Sequence, residues 1–209
     1  MLIPANTVIE NLKKNGITIS GAFHIGAHEC EELGYYEQLG IAPVNILWID
    51  AMKEKVDLAA ARKIPNVFQA VITDTDDAEV TFHITNNVQS SSVLEFGTHS
   101  TNHPTVHVVR DIKLKTITID TFFERNGLNP SKYDFWTFDI QGAEMLALKG
   151  GKKALQFPKA IFLEVNTEEV YKGCAKRDDI DAFLATCGFR RVETFMTPNG
   201  WGDALYLRL

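Results

Sequence analysis

Thr18-Ile-Ser-Gly-Ala-Phe-His-Ile-Gly-Ala-His-Glu29 reads as a buried strand that runs into a turn of small residues. Gly26 and Ala27 form the turn, and Cys30-Glu-Glu-Leu-Gly-Tyr-Tyr36 continues as a helix. A strand, a tight Gly/Ala turn and a helix in succession open a doubly wound α/β sheet, and ligands bind at such a turn. Small residues let a ligand approach the backbone closely. The same turn also serves close helix–strand packing alone, so the rest of the chain has to decide between the two uses.

Outward from this stretch, Pro4 to Asn15 predicts a helix with Asn6 or Thr7 as its cap, Val8, Ile9 and Leu12 on one face, and Gly16 as its stop. Glu31 to Leu39 predicts the helix after the turn, ended by Gly40 and Pro43. Asn45-Ile-Leu-Trp-Ile-Asp50 is a continuous apolar run ending in an acid, the pattern of a parallel strand buried on both faces. Asp50 at the end of this strand is placed either to accept the hydroxyls of a ribose or to cap the helix Met52 to Arg62.

Asn66 to Ile72 predicts a third strand, with Thr73 to Asp77 a polar turn. Glu79 to Thr85 and Thr105 to Ile119 alternate in polarity, as strands of a sheet extension or hairpin do. Between them, Asn86 to Pro104 is a long irregular stretch, the signature of a functional lid or a loose loop. A short capped helix is expected over Thr121 to Gly127. Tyr133-Asp-Phe-Trp-Thr-Phe-Asp139 is the most strand-like run, and Gln141-Gly-Ala-Glu144 starts a helix that reaches Lys149. Lys159 to Asn166 is the next strand, and Asp178 to Cys187 a helix stopped by Gly188. Phe189 to Met196 and Ala204 to Leu209 read as an antiparallel pair around Pro198-Asn-Gly200.

Composition narrows the function classes. At 209 residues with 45% apolar content the chain suits one domain over 1–209, either alone or as part of a longer protein. A net charge of −6 and dispersed Lys and Arg argue against a nucleic-acid partner. Cys30, Cys174 and Cys187 show no metal or disulfide spacing, which fits a reducing, cytoplasmic compartment. The N-terminus lacks a signal-peptide pattern, and no apolar run has the ~20 residues of a membrane span.

The residues at these strand ends carry a resemblance. His24-Ile-Gly-Ala-His28, Ile49-Asp50, Gln69-Ala-Val-Ile72, Ser90-Ser-Ser92, Asp139-Ile-Gln-Gly-Ala-Glu144 with Leu148-Lys-Gly150, and Leu163-Glu-Val165 make the chain similar to the FkbM-type S-adenosylmethionine-dependent methyltransferases. The block from Asp139 to Gly150 is the most specific. The resemblance implies an α/β, doubly wound Rossmann-like fold with a seven-strand, mostly parallel sheet. In it the last strand is antiparallel and inserted beside the fifth. It also implies O-methyl transfer from S-adenosyl-L-methionine to sugars or small natural products. On this reading Gly26 and Ala27 hold the methionine part, Asp50 the ribose, and Ala70, Val71 and Ile72 flank the adenine. His24, His28, Glu31, Ala51, Met52, Ser92, Asp139 and Gln141 complete the cofactor-binding set. The first turn departs from the family pattern, with His24 where an acid is usual and Cys30 where a second glycine is usual. The methionine ammonium then needs another acidic partner, for which Glu31, Asp139 and Glu144 are candidates.

Methyl transfer is an in-line displacement in which the protein positions donor and acceptor and removes a proton. Asp139, Glu164 and His99 are the expected catalytic residues. A hydroxyl is a weak acid, so a divalent cation, Mg or Mn, held by Asp139, Glu164 and Asn166, is a further expectation. His99, His103 and His107 recur at helical spacing, but Pro104 breaks any helix there and leaves them on no common face. Trp201, in the turn Asn-Gly-Trp-Gly, is suited either to stack on a sugar or to anchor the loop. The expected acceptor is a sugar hydroxyl, for example of a deoxyhexose such as rhamnose, or a small molecule. The rival reading is a cofactor-binding module without turnover, motivated by His24 and Cys30. A nicotinamide dehydrogenase would need a Gly-x-Gly-x-x-Gly turn, which Gly26-Ala-His-Glu-Cys-Glu31 does not provide.

Overall fold

The structure, a computed structural model, describes residues 1–209. Helix α1 (Ala5–Lys14) precedes strand β1 (Ala22–Ile25), helix α2 (Leu33–Gln38), strand β2 (Ile46–Asp50) and helix α3 (Lys53–Ala61). The third strand of the sequence reading is two strands, β3 (Val67–Gln69) and β4 (Val71–Ile72). Strands β5 (Glu79–Thr85) and β6 (Val108–Ile117) flank the one-turn helix α4 (His99–Asn102). Helix α5 (Ile119–Arg125), β7 (Phe135–Phe138), α6 (Glu144–Lys149), β8 (Ala160–Asn166), α7 (Arg177–Thr186), β9 (Phe189–Met196) and β10 (Trp201–Arg208) complete the chain.

Seven strands form the main sheet in the order β3-β2-β1-β7-β8-β10-β9. All neighbours are parallel except β10, which runs antiparallel to both β8 and β9. The expected sheet, with its last strand inserted beside the fifth, is therefore the observed one. Two local facts produce the insertion. A tight turn at Gly200, φ +77°, joins β9 to β10, and a hairpin can only return antiparallel. Of that pair β10 is the apolar strand, with Gly202 through Leu207 buried, so it takes the inner place and leaves β9 at the edge.

Alternation along the strands builds two cores, one per face. Phe23, Ile25, Leu47, Ile49, Trp136 and Phe138 pack with Phe122 and Phe123 of α5, Leu148 of α6 and Leu184 of α7. Ala22, Ile46, Trp48, Phe135 and Phe162 pack with Val8 and Leu12 of α1 and Tyr36 of α2 on the other face. Helices on both faces of a parallel sheet leave its strand tips as the free edge, where ligands bind.

Several boundaries differ from expectation, for one recurring reason. The first helix after the turn was predicted from Glu31 and starts at Leu33, because His28 (φ +43°) and Cys30 (φ +57°) take left-handed backbone. Likewise Gln141 (φ +56°) and Gly142 (φ +95°) delay α6 to Glu144. The third strand breaks at Ala70, whose N–H still donates to Asp50 O at 3.0 Å. Beyond it, Val71 and Ile72 turn away to pair with Thr116 and Ile117 of β6. A second, three-stranded sheet, β4-β6-β5, results. It seats Phe82 and Ile84 against Met52 at the mouth of the sheet. Within the long loop, Pro104 does not keep the histidines apart: His99 and His103 bracket α4, and their rings lie 4.9 Å apart.

Candidate active site

The carboxyl ends of β1, β2, β7 and β8 open into one cleft of about 380 Å³. At its floor, Gly26 (φ +94°) turns directly against β7: a Cβ there would stand 1.8 Å from the carbonyl oxygen of Asp139. The position therefore requires glycine on both counts, backbone angle and space. The left-handed turn that follows aims the His28 N–H at the Asp50 carboxylate, 2.7 Å away, while the other Asp50 oxygen accepts from Met52 N at 2.7 Å. Asp50 thus braces the start of α3 while lining the cleft.

Six carboxylates line the cleft, Glu31, Glu32, Asp50, Asp139, Glu164 and Asp203, and no Lys or Arg does. Asp139 extends β7, and Gln141 Nε2 donates to both Asp139 Oδ1 (2.7 Å) and Glu164 Oε2 (2.9 Å). Glu164 faces Asp203 directly across the β8–β10 ladder. Like charges opposed in this way are destabilising. Burial, then the neighbouring carboxylates, pushes Glu164 well above its ordinary value, and burial raises Asp139 as well. Asp203 is pushed up to about 6, again mainly by burial, although Leu2 N donates to it. Six acids with no Lys or Arg among them, and with His28 as a basic neighbour 2.6 Å from Glu31, make the cleft receptive to a cation.

The far wall is aromatic. Phe96 stacks on His99 at 4.2 Å, and Tyr171 lies 5.5 Å from the same imidazole. Two loops bring them together: Gly97 N and His99 N donate to Val170 O, at 2.9 and 3.2 Å, and Lys172 N donates to Glu95 O at 2.8 Å. Gly97 allows this approach, since a Cβ there would meet Glu169 O at 2.0 Å. Burial first and His103 second lower the His99 pKa, so its ring is neutral at neutral pH. Its Nδ1 is buried without a partner.

Of the residues expected at the site, Gly26, His28, Glu31, Asp50, Ala51, Met52, Ala70, Val71, Ile72, Asp139, Gln141, Glu164 and His99 line the cleft. Four do not. His24 faces the core beneath the turn, with Nδ1 2.8 Å from Tyr36 Oη, and burial holds its pKa down to about 4. Ala27 is fully buried in the same core. Ser92 sits behind the cleft, where its Oγ donates to Gln141 O at 2.8 Å; Ser90 and Ser91 line the wall instead. Asn166 is buried at the end of β8, outside the lining, with both amide atoms unpaired. Among the proposed ammonium partners, Glu144 is turned onto its own loop and accepts from Ile140 N (3.0 Å) and Gly142 N (3.2 Å).

Of the expected cation trio, Asp139 and Glu164 line the cleft and share Gln141 Nε2 as a hydrogen-bond donor, while Asn166 lies outside the lining. No group of three or more His, Cys, Asp or Glu side chains is arranged to hold a metal ion. Sequence reasoning missed Glu32, Tyr171 and Asp203. Asp203 left one signal, an acid inside the otherwise apolar run Ala204-Leu-Tyr-Leu207 and its flank. Trp201 begins β10 rather than sitting in the turn, and it lines the cleft.

No curated protein sequence matches the chain. Among solved structures it is similar to magnesium protoporphyrin IX methyltransferase from Synechocystis PCC 6803, solved with bound S-adenosylmethionine. That likeness has a TM-score of 0.50 and 11% identity, over 98% of this chain and 78% of that one. It is also similar to the methyltransferase domain of a bacterial Hen1 (TM-score 0.46, 12% identity, 97% and 96% covered). A further likeness is to a methyltransferase from Aquifex aeolicus (TM-score 0.37, 11% identity, 96% and 89% covered). At these identities the likeness to the Synechocystis enzyme shows the fold. The profile of the methyltransferase FkbM domain matches residues 22–191, from the start of β1 into β9. The chain therefore belongs to the FkbM methyltransferase family, whose members depend on S-adenosylmethionine.

Proposed function

We propose that this protein transfers a methyl group from S-adenosylmethionine to a hydroxyl of a sugar, such as a terminal deoxyhexose of a glycan or glycoside. The supporting observation is the make-up of one cleft, with six carboxylates and no Lys or Arg on the donor side and an aromatic wall opposite. The donor carries two positive charges, a sulfonium and an ammonium, and desolvated carboxylates suit both. When bound, the donor supplies a methyl carbon that bonds to the acceptor oxygen while the C–S electron pair returns to sulfur. Asp50 has free lone pairs for ribose hydroxyls. Ala70, Val71 and Ile72 offer an apolar slot for a flat base. Glu31 and Asp139 take the ammonium, and Asp139 also stands near the transferred methyl.

Across from them, the half-buried Trp201 lines the cleft with an amphipathic ring, the kind of surface that suits a polyhydroxylated ring, and Tyr171 backs that wall from the core. His99 receives the hydroxyl proton. Its lowered pKa leaves the ring unprotonated below the ordinary imidazole value of 6.5, so a free lone pair is available at neutral pH. His24 and Cys30, the two departures from the family pattern, are buried outside the lining and do not disturb this arrangement.

The reading is tested by incubating the protein with methyl-labelled donor and a deoxyhexose-terminated glycoside. Labelled methyl ether is expected, at a rate unchanged by a chelator because Gln141 stands where a cation would sit. Absence of label in this and in other sugar acceptors would sink the proposal. Replacing His99 by Gln is expected to lower kcat about 100-fold, within the usual range for a general base. The acid limb of the rate profile, which lies below pH 6.5 in the wild type, should vanish with it. An unchanged limb would show that another group takes the proton.

A further inference from the structure

The Gln141 side chain does something the donor site does not explain. It lies on left-handed backbone, φ +56°, that non-glycine residues adopt rarely. Its carbonyl is pinned by Ser92 Oγ at 2.8 Å. The side-chain amide is fully used: Nε2 bridges Asp139 and Glu164, while Oε1 accepts from Tyr171 Oη at 2.7 Å. No other donor reaches either carboxylate. The two acids set the orientation of the amide, because reversing it would aim Oε1 at their oxygens; Tyr171 Oη, which also lies 3.3 Å from Ser90 O, then donates to Oε1.

We propose that Gln141 is a positioning residue whose amide holds Asp139 and Glu164 side by side as one anionic grip for the cationic donor. Through Tyr171 it also ties that grip to the acceptor wall. A neutral amide with two N–H groups matches two carboxylates one to one. It lets them stay close where their mutual repulsion in a desolvated site would drive them apart. Tyr171 in turn packs on Phe96 and His99, with ring centroids 5.8 and 5.5 Å away. Gly142, next in the chain, makes room for that loop, since a Cβ there would press on Tyr171 Cβ at 2.9 Å. Donor grip and acceptor wall therefore share one side chain.

The groups that face the pair set its charge state. They are Asp203 on β10, Glu144 on α6, Glu32 before α2, His24 on β1, Tyr171 on the loop after β8, and the amino end at Met1. Acids dominate this surround: Glu164 is buried and pushed well above its ordinary value, while Asp139 opens to the cleft and is raised as well. A third carboxylate in place of the amide would be tolerated only when protonated.

The proposal rests on the donor site assigned above, and its test needs no acceptor. Calorimetry with S-adenosylmethionine and with its demethylated product is run on wild type, Gln141→Glu, Gln141→Leu and Tyr171→Phe at pH 8 and pH 6, with melting curves for each. Relative to wild type at the same pH, Gln141→Glu is expected to bind at least tenfold more weakly at pH 8 and to recover at pH 6. Gln141→Leu should lose a similar factor at both values. Tyr171→Phe keeps the amide and loses only its anchor, so a smaller loss, about threefold, is expected even if Gln141→Leu fails to fold. Wild-type affinity in the Gln141 variants, or equal pH-independent losses in both, would overturn the proposal. A wild type that binds neither compound would bring down the donor site and this proposal with it.

Discussion

Replacing Asp139 by Asn is expected to weaken binding of S-adenosylmethionine by about 100-fold while making the unliganded protein more resistant to heat. The two effects share one cause. Asp139 directly follows β7 with its side chain open to the cleft, and the crowded, acid-rich surround pushes its pKa up, so its charge is held at a modest cost in the empty cleft. Asparagine keeps the shape, and its side-chain oxygen still accepts from Gln141, but the charge is gone. Losing one member of a desolvated charge pair typically costs about 3 kcal/mol of binding, or roughly a hundredfold. Because water screens an exposed carboxylate, removing this charge returns only about 0.5 kcal/mol, a rise of about 1–2 °C in a chain of this size. Isothermal titration and a melting curve on the same sample check both halves. Unchanged affinity would remove Asp139 from the donor site.

Gly26→Ala should be the most disruptive single methyl group in the protein. The added carbon would lie 1.8 Å from Asp139 O, a backbone atom that cannot swing aside as a flexible side chain does. Alanine also disfavours φ +94°. Strain of this kind costs on the order of 3 kcal/mol, which corresponds to a melting point lower by about 6–12 °C. Relief requires β1 and β7 to part at their tips, so donor binding should disappear even where the variant still folds. Gly16→Ala is the control: it shares a positive φ (+66°) but has open space around it, and it should lose less stability and no affinity. If both variants behave alike, the contact with Asp139 is not what demands glycine at residue 26.

Much of this site was legible along the chain. Asp50 and Asp139 each end a continuous apolar run, and in a parallel sheet the end of such a run is the ligand edge. What misled the reading was local backbone. Helix patterns place Glu31 and Gln141 inside helices, whereas His28, Cys30, Gln141 and Gly142 take left-handed turns first. Those turns hold Glu31 and Gln141 in the cleft. His24 and Ser92 belong to motif blocks of the sequence, yet strand alternation sends His24 to the core face, and Ser92 serves Gln141 from behind. Tyr171 was silent, and Asp203 showed only as an acid beside an apolar run, because their place in the cleft depends on neighbours in space: β8 beside β10, and two loops that join at Gly97 and Val170.

The sequence by itself determined the alternation of strands and helices and the two acids at the strand tips, whereas the order of the strands entered only through the family resemblance. Apolar periodicity and strand length are short-range properties, and each residue carries its share of them. Only the tertiary structure decided which acids share the cleft, that the Gln141 amide bridges Asp139 and Glu164, and that His99 lines the same cleft from a second loop. Those facts depend on contacts between residues that are distant along the chain. Desolvation and charge coupling act through space, and the chain has no local pattern that records them.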